Sequence, residues 1–323
     1  MKKLKIALLY GGKSAEHEVS LRSAENVASA IDKDKYEIEK ILIRKDGTWE
    51  KEMYQIDADV FFPLLHGPFG EDGTVQGLLK LANVPFVGAS VLGSAIGMDK
   101  DVMNRLLRDA GIPTKKFLSF KEKDIDFDYV ERELGSPFFV KPANAGSSVG
   151  VSKVKAKADF DKAVKQAFMF DRKIIIEEYI QGREIECSVL GNEKPTASVL
   201  GEIVPHDEFY SYNAKYVDQD GAELIIPAKI DSEVAKEIQR IAVQVFLALE
   251  CEGLGRVDFF LTKNNKIVVN EINTIPGFTN ISMYPKLWEA SGLGYADLID
   301  RLIQLAVARF EKESKLITSY ISG

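Results

Sequence analysis

Polar and apolar residues alternate along Arg256–Leu261 and again toward the end of Ile267–Asn273, the period of two that marks β-strands. Between them, Asn264-Asn265 suits a tight hairpin turn, because asparagine tolerates positive φ. A two-residue turn at that pair places Asp258 opposite Glu271 and Arg256 opposite Asn273. Alternation then turns all four side chains to one face. Directly opposed carboxylates repel, so a compensating charge is required. A hard cation such as Mg²⁺, held by the oxygens of Asp258, Glu271 and Asn273, would supply it. So would Arg256, or a lysine elsewhere, over a solvated face.

The rest of the chain follows a strand, loop, helix order. Lys5–Tyr10 reads as a buried strand ending at Gly11-Gly12, and polar SAEHEVS leads into a helical pattern from about Leu21 to Ile31. Strands are predicted over Tyr36–Ile43, Asp59–Leu65 and Pro85–Val87, with a helix through Leu81 after HGPFGEDG. This is the grammar of an open parallel α/β sheet, whose ligands sit beyond the carboxyl ends of the strands. Gly11–Glu18 and His66–Asp72 fall at such ends. The glycine-rich turn lacks the G-x-G-x-x-G dinucleotide fingerprint, which argues against a dehydrogenase.

Met98–Gly111 is predicted as one helix carrying Lys100 and stopped by Gly111-Ile112-Pro113. Strand Phe138–Lys141, the loop PANAGSSVG and strand Val151–Val154 follow. The loop exposes N–H groups around Gly146, Ser147, Ser148 and Gly150 that suit phosphate oxygens; a flexible hairpin loop is the alternative. Ile174–Glu178 and the stretch through Leu190 read as strands. Val204–Gly221 is aromatic-rich and without period, a length that fits either an active-site lid or a packed surface loop. Amphipathic helices are predicted over Ser232–Leu249 and Tyr295–Glu313.

Composition narrows the classes of partner. The 323 residues carry a net charge of −7, which disfavours a general nucleic-acid surface but leaves room for small anions at local lysine clusters. Two cysteines, Cys187 and Cys251, make neither a disulfide framework nor a zinc site. The apolar run Ile6–Tyr10 is too short for a signal sequence, and no stretch reaches membrane-spanning length, so a cytoplasmic protein is expected.

Eight blocks in order, GGKSAEHEVS, HGPFGEDGTVQG, MDK, VKPANAGSSVG, EEYIQGREIE, YNAKY, GRVDFF and NEINTIPGFTNISMYP, make the chain resemble the ATP-grasp D-alanine–D-alanine ligases over nearly its whole length. The resemblance implies an α/β and α+β multidomain fold. An N-terminal open parallel α/β domain (1–97) would be followed by an ATP-grasp fold of two α+β subdomains, 98–180 and 181–323, with the lid at about 204–221. It also implies a homodimer that makes a peptidoglycan precursor from D-alanine and ATP.

By the same resemblance, Asp258, Glu271 and Asn273 match the ligands of two Mg²⁺ ions, with Mn²⁺ as a substitute and Glu271 bridging. Lys100 and Lys141 match phosphate-contacting lysines, and Lys215 a lid lysine that reaches the γ-phosphate. Glu177, Glu178, Tyr179 and Ile180 match the linker that reads adenine, and Glu184 the ribose acceptor. Ser148, Phe209 and Phe260 complete the nucleotide set. Glu178 stands where some members carry lysine. Glu16, Ser147 and Tyr216 match the group that holds the first D-alanine. Arg256 and the Gly277 N–H match the oxyanion stabilisers, which would leave the carboxylates free for the metal. Ser282 and the Met283 main chain match the cradle for the second carboxylate; Met283 replaces a common leucine. His66 falls in a family motif beside the substrate.

The reaction so implied has two stages, a D-alanyl phosphate made from ATP and then amine attack on it. Two rivals are a D-alanine–D-lactate ligase of the same family, against which Lys215-Tyr216 speaks, and a non-catalytic nucleotide-binding protein, against which the three metal ligands speak.

Overall fold

A computed structural model describes residues 2–147, 149–205, 222–279 and 281–317. Three sheets organise it. Strands β1 (Leu4–Gly11), β2 (Tyr36–Ile43) and β3 (Val60–Pro63) form a parallel sheet in the order β2-β1-β3. Ile6, Ala7, Leu8 and Leu9 of β1 are all buried, as expected for a parallel strand covered on both faces. The predicted strand at Pro85–Val87 is only a single bridge from Phe86 to Phe61.

Strands β4 (Phe117–Phe120), β5 (Phe138–Pro142), β6 (Ser152–Val154) and β7 (Ile174–Glu178) make an antiparallel sheet ordered β4-β7-β5-β6. Helices Phe127–Leu134 and Lys157–Ala167 cover one face through Phe127, Val130, Phe160 and Val164. Strands β8 (Arg183–Gly191), β9 (Thr196–Pro205), β10 (Ala222–Ile225), β11 (Gly253–Leu261) and β12 (Ile267–Asn273) form the third sheet, β10-β9-β8-β11-β12. Its apolar face packs on helix Ser232–Ala248 through Ile238, Ile241 and Val245, and on Met103 and Leu107. The last helix, Tyr295–Glu313, returns to the first sheet, with Leu298, Leu302 and Ile303 in one core with Ile6, Leu8 and Phe62.

Two predicted elements differ. The first helix starts at His17, four residues earlier than its apolar pattern suggests, because its polar residues face inward. Ser20 Oγ accepts from the Gly11 N–H at 2.7 Å and donates to the Leu64 carbonyl at 2.5 Å. The helix predicted over Met98–Gly111 spans Lys100–Asp109, and a further helix that the pattern did not show, Val91–Met98, precedes it. Asp99 separates them, its carboxylate accepting from the Asp101 and Val102 N–H groups as an N-cap. No described helix is long and apolar enough to cross a membrane.

The β11–β12 hairpin reaches the predicted register by another route. Thr262 and Lys266 close a three-residue loop, with Asn265 at φ 57°. That loop pairs Phe259 with Val269, one residue out of step with the two-residue turn. A bulge between Asp258 and Phe259 makes Asn270 the extra residue and restores the step. Beyond it Asp258 faces Glu271 and Arg256 faces Asn273.

Candidate active site

Alternation along β11 and β12 turns Arg256, Asp258, Glu271 and Asn273 away from the buried face that holds Val257, Phe259 and Ile272. On the other side of Asp258, in register on β8, stands Glu186. Three carboxylates therefore lie in a row across the sheet. Arg256 answers them: Nε and Nη2 each reach an oxygen of Asp258 at 2.8 Å, and Nε lies 2.9 Å from Glu186 Oε2. The expectation that Arg256 leaves the carboxylates free is corrected here, since its planar fork matches a carboxylate two residues along its own strand. Lys100 Nζ lies 3.4 Å from Glu271 Oε2 and donates to the Ala145 carbonyl at 2.8 Å.

Oxygen donors for a hard cation are present at this face. Asn273 Oδ1 is buried with no hydrogen-bond partner among the described residues, a costly state for an amide oxygen unless something binds it. With the opposed Asp258 and Glu271 it makes an all-oxygen set of the kind Mg²⁺ takes.

A second charged cluster lies between the antiparallel sheets. Lys141 on β5 and Lys115, in the segment before β4, both reach Glu177 Oε2, at 2.5 and 2.6 Å. Lys115 also donates to Asn270 Oδ1 at 2.6 Å. Burial lowers the Lys115 ammonium to about 8 despite Glu177. Burial also works against Lys141, but the Glu177 and Glu271 carboxylates outweigh it and raise its pKa. Burial opposes the Glu177 carboxylate too, yet the two lysines hold it down at about 2. The Glu178 carboxylate accepts from the Lys116 N–H at 2.8 Å. Tyr179 is half-exposed, with the Lys153 ammonium 4.2 Å from its ring centre. Ile180 follows it, half-buried. Phe260 points to the same side as Asp258, in register with Glu184 on β8.

The third group gathers at the mouth of the parallel sheet. Glu16 is buried, and Ser147 Oγ donates to its Oε1 at 2.5 Å. Gly67, at φ +73°, lies so close that a Cβ there would stand 2.8 Å from Glu16 Oε2. His66 is buried, with Nδ1 3.0 Å from the Ile275 carbonyl and 3.8 Å from Glu71 Oε1, and Nε2 3.3 Å from Ser23 Oγ. Burial would lower its pKa, but Glu71 and Glu16 reverse that and raise it. The Glu71 carboxyl is itself raised, by burial first. Ser282 Oγ accepts from the Thr279 N–H at 3.0 Å, and a side chain at Gly277 would collide with it. Met283 packs buried against Leu287 and Ile203.

One cavity of about 740 Å³ joins the first and third groups. Glu16, Ser147, Lys100, Glu186, Arg256, Glu271, Asn273, Gly277, Ser282 and Met283 all line it. His66, Lys141 and Asp258 are not among the residues that line it. Ser148, Phe209, Lys215 and Tyr216, with most of the candidate lid, lie outside the described residues. Sequence reasoning missed Glu186 and Lys115. Glu186 had a signal, since Glu184 and Glu186 alternate with Ile185 and Cys187. Lys115 had none: it is one of two adjacent lysines in a connecting segment.

Two family models match this chain one after the other. Residues 5–58 and 50–89 match the family model described as D-ala D-ala ligase N-terminus, and residues 106–304 match D-ala D-ala ligase C-terminus. The chain is 51% identical to the D-alanine–D-alanine ligase of Oceanobacillus iheyensis, over 99% of this chain and 100% of that one. It is 49% identical to D-alanine–D-alanine ligase A of Escherichia coli, with 99% and 100% covered. Among solved structures it superposes on the D-alanine–D-alanine ligase of Coxiella burnetii with a TM-score of 0.89 at 40% identity, covering 98% of this chain and 97% of that one. The ATP complex of the Bacillus anthracis ligase gives a TM-score of 0.82 at 31% identity, with 96% and 99% covered.

Proposed function

This chain belongs to the D-alanine–D-alanine ligase family and joins two D-alanines, and we propose that it does so through a D-alanyl phosphate formed from ATP. The supporting observation is that the buried Glu16 carboxylate, Arg256 and the oxygens of Glu271 and Asn273 face one cavity of about 740 Å³. Free carboxylate is a poor acyl donor because oxide is a poor leaving group. Phosphorylation replaces that leaving group with phosphate. Attack of one carboxylate oxygen of the first D-alanine on the γ-phosphorus releases ADP. The free amine of the second D-alanine then adds to the acyl carbon, the tetrahedral oxyanion collapses, and phosphate leaves with the bridging oxygen and the amine proton.

Glu16, held by Ser147, takes the ammonium of the first substrate. Lys100 and Lys141 take phosphate charge. Asp258, Glu271 and Asn273 would hold Mg²⁺, two ions with Glu271 shared or Mn²⁺ in their place. Bound there, the metal neutralises the triphosphate and orients its γ-phosphorus. Arg256 and the Gly277 N–H meet the oxyanion, and in that role Arg256 draws away from Asp258. Ser282 and the Met283 main chain hold the second carboxylate. His66 and Glu71 back the first substrate site. The Glu177–Ile180 main chain, Glu184 and Phe260 frame the nucleoside. Tyr216 and Lys215, with Phe209 and Ser148, complete the site by resemblance to the family, and the lid excludes water that would hydrolyse the acyl phosphate. Domain limits at 97 and 180, a homodimer and a cytoplasmic location belong to the same reading.

D-Alanine labelled with oxygen-18 in its carboxylate tests it. One label is expected in each released phosphate, together with D-alanyl-D-alanine. Dipeptide formed with unlabelled phosphate would rule out the acyl phosphate.

A further inference from the structure

Lys115 is a buried ammonium with no part in the chemistry above. Its segment crosses between the two antiparallel sheets. The Pro113 carbonyl accepts from the Val269 N–H at 2.9 Å, and Thr114 bridges to Val269 on β12. Three residues after Thr114 the chain enters β4, which pairs with β7 of the other sheet. At the crossing point the Lys115 side chain is only 3% exposed. Its Nζ lies 2.6 Å from Glu177 Oε2 on β7 and 2.6 Å from Asn270 Oδ1 on β12. Lys141 reaches the same Glu177 oxygen at 2.5 Å.

We propose that Lys115 is a positioning residue for the nucleotide phosphates. It ties Glu177, and through it Lys141, to the bulge residue that sets Asp258 against Glu271. The inference rests on the reading of this cleft as an ATP site. Two features carry it. The first is geometric: Lys115 is bonded to both sheets that flank the nucleotide cleft, at the one residue whose insertion fixes the carboxylate register. The second is electrostatic. One carboxylate shared by two ammoniums leaves a net charge of about +1 in a buried cluster, where opposite charge interacts strongly. A single Lys141–Glu177 pair would be neutral and would offer little to a polyanion. Packing alone does not call for an ammonium here, because an apolar side chain of similar length fills such a place without the cost of desolvating a charge.

The test is Lys115→Met in the full chain. Initial rates are measured against ATP and against D-alanine separately, with Mg²⁺–ADP binding measured by calorimetry and melting recorded. A KM for ATP and a Kd for Mg²⁺–ADP raised about tenfold are expected. KM for D-alanine should stay within about twofold and the melting temperature should not fall. Asn270→Ala keeps the ammonium and cuts one tie, and should raise KM for ATP less, in the same direction. Unchanged nucleotide affinity in folded Lys115→Met, or equal rises for ATP and D-alanine, would overturn the proposal. If Lys115→Met does not fold, unchanged ATP affinity in Asn270→Ala overturns it. Failure of the wild-type chain to consume ATP with D-alanine would instead sink the functional reading beneath it.

Discussion

Asp258 faces Glu271 because Asn270 is an extra residue in its strand. Without that bulge the three-residue loop would set Asn270 opposite Asp258 and turn Glu271 to the other face. The repulsion between opposed carboxylates is held in check by Arg256 and Lys100, groups that other ligands can displace.

Glu271→Gln keeps the shape and removes the charge. Turnover should fall by about a hundredfold or more, since even outer-shell partners of a metal are worth 10–100-fold. The melting temperature should stay within about 4 °C of wild type. Steady-state assays with a parallel melt check both; near-normal turnover would remove Glu271 from the metal site.

Glu16→Gln keeps the Ser147 hydrogen bond available and removes the carboxylate proposed to hold the substrate ammonium. A hydrogen bond to a charged group contributes about 1.5–3 kcal/mol, so KM for D-alanine should rise by roughly ten- to a hundredfold. KM for ATP should hold within about twofold. A rise in the ATP value alone would place Glu16 on the wrong substrate.

Glu177 is depressed to about 2 by two buried lysines, from an ordinary 4.5. Its contribution to stability is therefore complete above pH 4.5 and lost as pH falls from there toward 2. Glu177→Ala strands both ammoniums and should cost about 3–5 kcal/mol. Adding Lys115→Met should restore part of the loss, and melts of the single and double variants decide it. A double variant less stable than Glu177→Ala would contradict the charge account.

Cys187 and Cys251 are buried, and burial pushes both thiols up to about 12. Neither should react with a thiol reagent at neutral pH until the chain unfolds, when both should. Rapid labelling of native protein would contradict their placement.

Much of this site was legible in the sequence. The hairpin register at Asp258 and Glu271 was read correctly, but through two differences that cancel: a loop one residue longer than the asparagine pair suggested, and a bulge that periodicity cannot show. Glu16 and Ser147 lie 131 residues apart in sequence, and only the family resemblance pointed to the pair. Helix starts were misread where polar side chains point inward, as at His17 and Ser20. The same blindness hid Lys115, whose role depends on partners 62 and 155 residues away. Arg256 was read as an oxyanion stabiliser, whereas here it grips Asp258. A sequence names the partners a side chain can take and leaves open which one holds it before ligands arrive.

Product analysis with ATP, Mg²⁺ and D-alanine, with and without added D-lactate, decides whether this chain makes the dipeptide. D-Alanyl-D-alanine should form with one ADP and one phosphate per dipeptide, and should remain the main product when D-lactate is present. Absence of the dipeptide under all these conditions, or D-alanyl-D-lactate as the main product, would contradict the account.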